Sequence, residues 1–282
     1  ALDRSGIELE IVLADDASEA PFGKWHQGLE AEGVRVFALS QNMGRAAVRN
    51  FLARQARAPW LLFADADSAV VHPDFFLQYA RAARQAPVVV GGTVYADEPP
   101  PERALRLRWH YGRRREQLPA TRRQGQPWAS FRTHNFLIHR EAFWRVGGFD
   151  EAVRRYGHED TLFGESLRRA GIPVLHIDNP LLHLGLEPAE VFIEKTRQAV
   201  AGLVALERAG KAVPTRLGAI ATRWGWAIGW LPDRFLAQAE KRLARYLIGA
   251  SQPPLVWFDL FKLIGYVREK RRATQSGPPE NA

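Results

Sequence analysis

Short apolar segments suited to strands alternate with helix-patterned segments over the first two thirds of this chain, and that alternation restricts it to layered α/β folds. Ile7 to Ala14, Val34 to Leu39 and Trp60 to Ala64 read as buried strands. Between the second and third, Gly44 to Arg57 carries Ala47, Val48, Phe51 and Leu52 at helical spacing. Pro73 to Gln85 reads as a helix with proline in its first turn, Val88 to Tyr95 as one further strand and Val174 to Ile177 as a late one. The expected architecture is a mostly parallel sheet flanked by helices, in which ligands bind beyond the carboxyl ends of the strands. Two acidic pairs fall at that edge: Asp15 and Asp16 after the first strand, Asp65 and Asp67 after the third.

Asp65 and Asp67 are two residues apart, so on extended backbone their carboxylates point the same way. Two hard oxygen donors on one face can share a divalent cation, which in turn can hold the diphosphate of a nucleotide-linked substrate. A solvated turn accounts for the same residue types. The stretch Asn42 to Asn50 sets a tight glycine turn before a helix whose N-terminus faces the carboxyl edge, an arrangement that favours an anion or a polar base; an ordinary strand-to-helix connection is the plain alternative. Gly157-His158-Glu159-Asp160 puts an acidic pair at a helix start, where carboxylates also serve as caps. His183 follows the late strand, as a ligand or a structural histidine.

The chain has 282 residues and a formal charge of +8, so its partners are expected to be anionic: phosphates, acidic lipids or nucleic acid. It has no cysteine, which excludes disulfides and thiolate metal sites. The arginines between Pro101 and Arg123 belong to no recognisable nucleic-acid module, and are read as either a solvated helix face or a phosphate contact. The opening residues lack the features of an export signal, and the apolar stretches near the C-terminus fall short of the roughly 20 residues a membrane span needs. Beyond a helix that runs from Pro188 to Gly210, with apolar positions from Phe192 to Leu206, the residues Trp224, Trp226, Trp230, Trp257, Phe258, Phe261 and Tyr266 are interspersed with Arg and Lys. This suits either a helical appendage or a helix lying in a membrane interface, where Arg268, Lys270, Arg271 and Arg272 would meet anionic lipid. The expected division is a domain over 1–210, a helical, basic and aromatic extension over 211–272 and a disordered tail over 273–282.

In this order, the motifs resemble family 2 glycosyltransferases of the GT-A fold, over a stretch from about Glu8 to about Leu206. The resemblance implies a metal-dependent inverting enzyme that transfers a sugar from a UDP- or GDP-linked donor to a hydroxyl of a glycan or lipid-linked acceptor. Surface glycan or glycolipid synthesis follows from it, in the cytoplasm or on the cytoplasmic face of the membrane, with no nucleic-acid partner. It assigns Asp15, Asp16, Asn42, Gly44, Arg45, Arg49 and Asp65 to the nucleotide sugar, and Asp67 with His183 to Mn or Mg. It assigns Asn135 and His158 to the acceptor side and Asp160 with Glu159 to the catalytic base. Family members also carry a strand and helix before the Asp-Asp segment, which this chain is expected to lack; that strand is central in the family sheet, so its neighbours would show open edges. A nucleotidyltransferase and a catalytically silent GT-A binding protein are the alternatives.

Overall fold

The computed structural model describes residues 6–19, 23–152, 157–211 and 215–275. Strand β1 (Val12–Asp15) pairs in parallel with β2 (Arg35–Ala38), and α1 (Gly23–Ala31) forms the crossover. Helix α2 (Arg45–Gln55) leads into β3 (Trp60–Ala64), and then follow β4 (Ser68–Val70), α3 (Phe75–Ala82), β5 (Val88–Val90) and β6 (Thr93–Val94). An excursion through α4 (Arg106–Tyr111), a π-helical turn at Gly112–Glu116 and α5 (Ala120–Gln124) returns to the sheet as β7 (Asn135–His139). Helices α6 (Arg140–Arg145) and α7 (Glu159–Arg169), strands β8 (Val174–His176) and β9 (Leu181–His183), and helix α8 (Ala189–Arg208) complete the α/β part.

The sheet is mixed rather than mostly parallel. The larger sheet has the order β3-β7-β5-β8 and a smaller one the order β4-β9-β6. Strand β7 runs antiparallel to both β3 and β5, because the excursion after β6 brings the chain back at the carboxyl edge, where Asn135 pairs with Ala64. The expected single strand Val88 to Tyr95 is broken at Gly91 and Gly92. A side chain on Gly91 would run into the Asn179 carbonyl, the Tyr79 hydroxyl and the Asn135 amide, and Gly92 turns at φ 97° against the Arg123 guanidinium. Strands β1 and β2 pair with no other strand among the described residues. The Glu10 carboxylate ties them to the body by accepting the amides of Arg57 and Ala58, and Arg35 donates to the Gln55 carbonyl.

Alternate residues of the central strands face opposite layers, as a pleated sheet requires. Val88, Val90, Phe136 and Ile138 pack with Phe149, Phe163 and Leu167 on one side, while Val89 and Leu137 meet Phe75, Tyr79 and Leu181 on the other. Phe63 stacks on Phe136 at 4.7 Å. Buried amides bridge the elements. Asn50 on α2 donates to the Phe149 carbonyl at 2.9 Å and accepts the Phe149 amide at 2.8 Å, which ties buried Gly148 and Phe149 to α2 while Gly147 and Asp150 stay exposed.

Three helices follow, α9 (Arg216–Gly229), α10 (Asp233–Gly249) and α11 (Leu255–Gln275). They are fastened to the α/β part through α4 and α8. Leu107, Phe192 and Ile193 pack with Leu247, Phe258 and Phe261, and Val200, Leu203 and Val204 pack with Ala221, Leu263 and Tyr266. The cations expected to meet lipid have partners: Arg268 pairs with Asp233 and Glu240 and the exposed Lys270 with Glu207, both across the bundle, and the exposed Arg272 pairs with Glu269 on its own helix. Arg271 donates to the Leu231 and Gly229 carbonyls. Helix α11 continues through Gln275, so the expected tail begins later than 273, and its remainder lies outside the described residues. No helix among the described residues is long and apolar enough to cross a membrane.

His176 on β8 locks α5 to the sheet: its Nδ1 accepts from Arg123 at 2.8 Å and its Nε2–H donates to the Pro127 carbonyl at 2.9 Å. Burial, with the Arg123 charge adding to it, lowers its pKa from 6.5 to about 4. Between those values the unfolded chain holds a proton that the folded chain lacks, so folding stability falls as pH drops from 6.5 towards 4. Thermal melts across this window are expected to show that decline, and His176→Gln, which cannot titrate, to show a shallower one.

Candidate functional site

A cleft of about 220 Å³ opens at the carboxyl edge, lined by Asp65, Asp67 and His183 on one side and Glu159 and Asp160 on the other. Arg45 also lines it, whereas Asp15, Asp16, Asn42 and Gly44 form a hydrogen-bonded loop cluster next to the start of α2. Asp16 accepts the amides of Met43 at 2.6 Å and Gly44 at 3.0 Å, and Asn42 donates to the Asp16 carbonyl at 3.0 Å. Asp16 thus takes the two amides of the turn that precedes α2, and the first-turn amides of the helix itself begin at Arg45. Gly44 makes the turn at φ 85°. Asp15 accepts from Ser18, which holds its carboxyl below the usual range, and lies 3.1 Å from His26 Nε2.

Asp67 and His183 are brought together by the small sheet. Ser68 pairs with His183 in the β4–β9 register, and the Leu184 amide donates to the Asp67 carbonyl at 2.8 Å. The His183 ring is stacked between Tyr95 and His134, each with its ring centre 5.4 Å away. His134 is itself held at both nitrogens, by Ser68 Oγ at 2.8 Å and Thr93 Oγ1 at 3.0 Å. Burial, and next the charge of Arg108 beside it, lower the pKa of His183, which favours the neutral imidazole a metal ligand must be.

The residues at this position fit a divalent cation. His183 Nδ1 is buried and has no hydrogen-bond partner, and its use as a ligand requires the long 3.4 Å contact from Arg108 to Nε2 to give way so that Nε2 carries the proton. No donor among the described residues bonds to the Asp67 carboxylate, which nests against Gly185. No cluster of three or more His, Cys, Asp or Glu placed to hold a metal occurs among the described residues. Two protein ligands, with the remaining positions left to a diphosphate and water, suit Mg²⁺ or Mn²⁺.

On the opposite side, Arg49 joins β3 to α7: its Nη2 donates to Asp65 at 2.8 Å and its Nη1 lies 3.8 Å from Glu159. Arg45 also lies 3.8 Å from Glu159. Asp160 faces Arg132 at 3.5 Å and caps Thr161 through its other oxygen. His158, with φ 73°, turns away from the cleft and bonds to the Ala199 carbonyl. Asn135 lies in the cleft wall, but its amide is fully engaged: it accepts from Tyr79 and donates to the Gly92 and Asn179 carbonyls.

Sequence reasoning missed Tyr95, Glu116, Arg132, His134 and Gly185, all of which line the cleft. The arginine run was a signal for Arg108 and Arg123, which both line the cleft. Although burial works against it, Arg108, with the Tyr95 hydroxyl, holds the Glu116 carboxyl low, and this buried pair backs His183. Arg123 donates to the Gly91 and Ile177 carbonyls in the cleft wall, whereas Arg113, paired with Asp97, and Arg115, paired with Asp259, do not line the cleft.

Residues 1–147 match the family model described as glycosyl transferase family 2, which spans over half of the chain. The chain belongs to glycosyl transferase family 2. Within the family it is similar to the validoxylamine A glucosyltransferase of Streptomyces hygroscopicus subsp. jinggangensis (strain 5008), at 30% identity over 194 residues that cover 59% of this chain and 46% of that one. The counterpart from subsp. limoneus is also 30% identical, with 59% and 42% covered. The chain thus spans less than half the length of these curated relatives. Among solved structures, the mannosyltransferase PcManGT from Pyrobaculum calidifontis, in complex with GDP-Man and Mn²⁺, superposes with TM-score 0.53 at 15% identity, over 94% of this chain and 77% of that one. That likeness is one of fold.

Gly185 gives the site its sharpest test. A Cβ there would overlap the Asp67 carboxylate, so Gly185→Ala must swing Asp67 aside while leaving the buried core untouched. The expected result is a loss of Mn²⁺-dependent nucleotide binding as large as that of Asp67→Ala, at about tenfold or more, with an unchanged melting temperature. Calorimetric titration and a thermal melt of the same preparation check both halves.

Proposed function

We propose that this family 2 member is a metal-dependent, inverting glycosyltransferase that moves a sugar from a UDP- or GDP-linked donor to a hydroxyl of a glycan or lipid-linked acceptor, in surface glycan or glycolipid synthesis. The observation that carries the reading is the convergence in one cleft of Asp65, Asp67 and His183 with Glu159 and Asp160. Family membership supports it, as does the fold shared with a mannosyltransferase solved with GDP-Man and Mn²⁺. In this reading residues 1–210 form the catalytic domain and 211–272 a helical extension, and the reaction runs on the cytoplasmic side, with peripheral contact to an anionic membrane.

The departing nucleoside diphosphate gains negative charge as the anomeric carbon becomes electron-poor. A divalent ion, Mn²⁺ or Mg²⁺, supplies the Lewis-acid neutralisation of that charge when bound. Asp67 and His183 would hold it, with the imidazole kept in place by the Tyr95 and His134 rings. Asp65, braced by Arg49, would meet the ribose. Glu159 lies between Arg45 and Arg49 and is engaged with both, which leaves Asp160 as the base that removes the acceptor proton. Arg132 orients the Asp160 carboxylate. One base and one displacement invert the anomeric centre.

Asp160→Asn is expected to lower turnover by about 10²- to 10⁴-fold while leaving Mn²⁺-dependent nucleotide affinity in place. Steady-state kinetics over a sugar-nucleotide panel, with the product anomer read by NMR, checks this. Unchanged turnover in the variant, or retained anomeric configuration, would contradict the mechanism.

A further inference from the structure

The cations from Arg268 to Arg272 are paired with acidic groups or carbonyls, but α9 presents a different face. Trp226 and Trp230 lie one turn apart on it and are 73% and 75% exposed. Arg216 and Arg223 share that solvent side and form no ion pair among the described residues; the Arg223 guanidinium lies 5.7 Å from the centre of the Trp224 ring. The opposite side of α9 is packed, through Leu217, Ile220, Ala221 and Ile228, against α8 and α11. From Lys211 to Pro232 the sequence contains no Asp or Glu. At the start of α10, Phe235 is 50% exposed beneath the Arg234 guanidinium and extends the same aromatic and cationic character.

The indole nitrogens of the two most exposed tryptophans are already satisfied. Trp226 Nε1 donates to the Arg223 carbonyl and Trp230 Nε1 to the Ala227 carbonyl, both at 2.9 Å. Such rings can leave water for an apolar medium without stranding a donor, which otherwise opposes burial. Aromatic rings flanked by cations, with no acidic residue on α9 and with Asp233 at the start of α10 paired to Arg268, match the boundary of an anionic bilayer: the rings enter the headgroup and acyl border and the guanidinium groups meet lipid phosphate. A second copy of this chain fits poorly, because a two-fold contact through this face would set Arg223 against Arg223.

We infer that the exposed face of α9, with Trp226, Trp230, Arg216 and Arg223, is a docking surface for an anionic membrane. This rests on the proposed function only in naming the surface at which the enzyme would meet a lipid-linked acceptor. The cleft lies elsewhere, so the two readings can be tested apart.

The experiment is co-sedimentation of the full chain with phosphatidylcholine vesicles, with and without phosphatidylglycerol. The chain is expected to bind the anionic vesicles and to leave the neutral ones largely unbound. Trp226→Ser with Trp230→Ser should weaken binding about tenfold or more, and Arg223→Gln about fivefold. Trp25→Ser, which removes a tryptophan 71% exposed on α1, should leave it unchanged. Thermal melts confirm that each variant is folded. Binding that survives the double substitution overturns the inference. So does equal binding to neutral vesicles, or a dimer in light scattering that the double substitution dissolves while no vesicle binds. UDP and GDP titrations of the same preparations keep the readings separate: lost vesicle binding with nucleotide binding intact defeats only the docking surface, and the reverse defeats only the glycosyltransferase reading.

Discussion

Because Ser68 pairs with His183 and the Leu184 amide donates to the Asp67 carbonyl, a carboxylate from the end of β3 and an imidazole from the end of β9 are held side by side by backbone geometry. Their approach needs no attraction between the side chains, so it exists before any cation arrives. The ring stack of Tyr95, His183 and His134 removes the remaining rotation, and Ser68 and Thr93 fix the outer ring in turn. Ligand groups locked in this way lose little freedom on binding, which is the usual route to a preorganised site.

Much of the polar apparatus around the cleft works on the fold rather than on a ligand. Asp16 holds the start of α2, Asn50 ties α2 to the segment before α7, and Asn135 joins α3 to both sides of the break between β5 and β6. Each is a buried or half-buried polar group with its bonds made internally, as burial demands. Arg49 bridges Asp65 and Glu159 and so links the two walls of the cleft. Substitution of these residues would remove activity through geometry, and an activity assay alone would not distinguish them from groups that touch substrate.

The elements governed by local pattern were legible in the sequence. Strand β3 and helix α2 follow from an apolar run and a 3.6-residue spacing, and α8 ends where Gly210 turns at φ 70°. The carboxyl-edge placement of Asp65 and Asp67 followed from the same alternation. Periodicity carries no direction, however, so the antiparallel β7 was hidden in the long excursion before it. The break at Gly91 depends on Tyr79, Asn135 and Asn179, which converge only in the folded state. Charge patterning does not show partners distant in sequence: Arg268 and Lys270 of α11 pair with Glu207, Asp233 and Glu240, which come from α8 and α10. The acid-free stretch of α9 was visible but less conspicuous.

The central claim is that Asp67 and His183 form half of a cation site that a nucleoside diphosphate completes. Mn²⁺ binding followed by the electron paramagnetic resonance signal of the free ion, with and without UDP or GDP, tests it most directly. Two protein ligands alone should bind Mn²⁺ weakly, and one of the nucleotides should tighten binding strongly. Mn²⁺ binding that neither nucleotide alters, or none in the presence of either, would contradict the account.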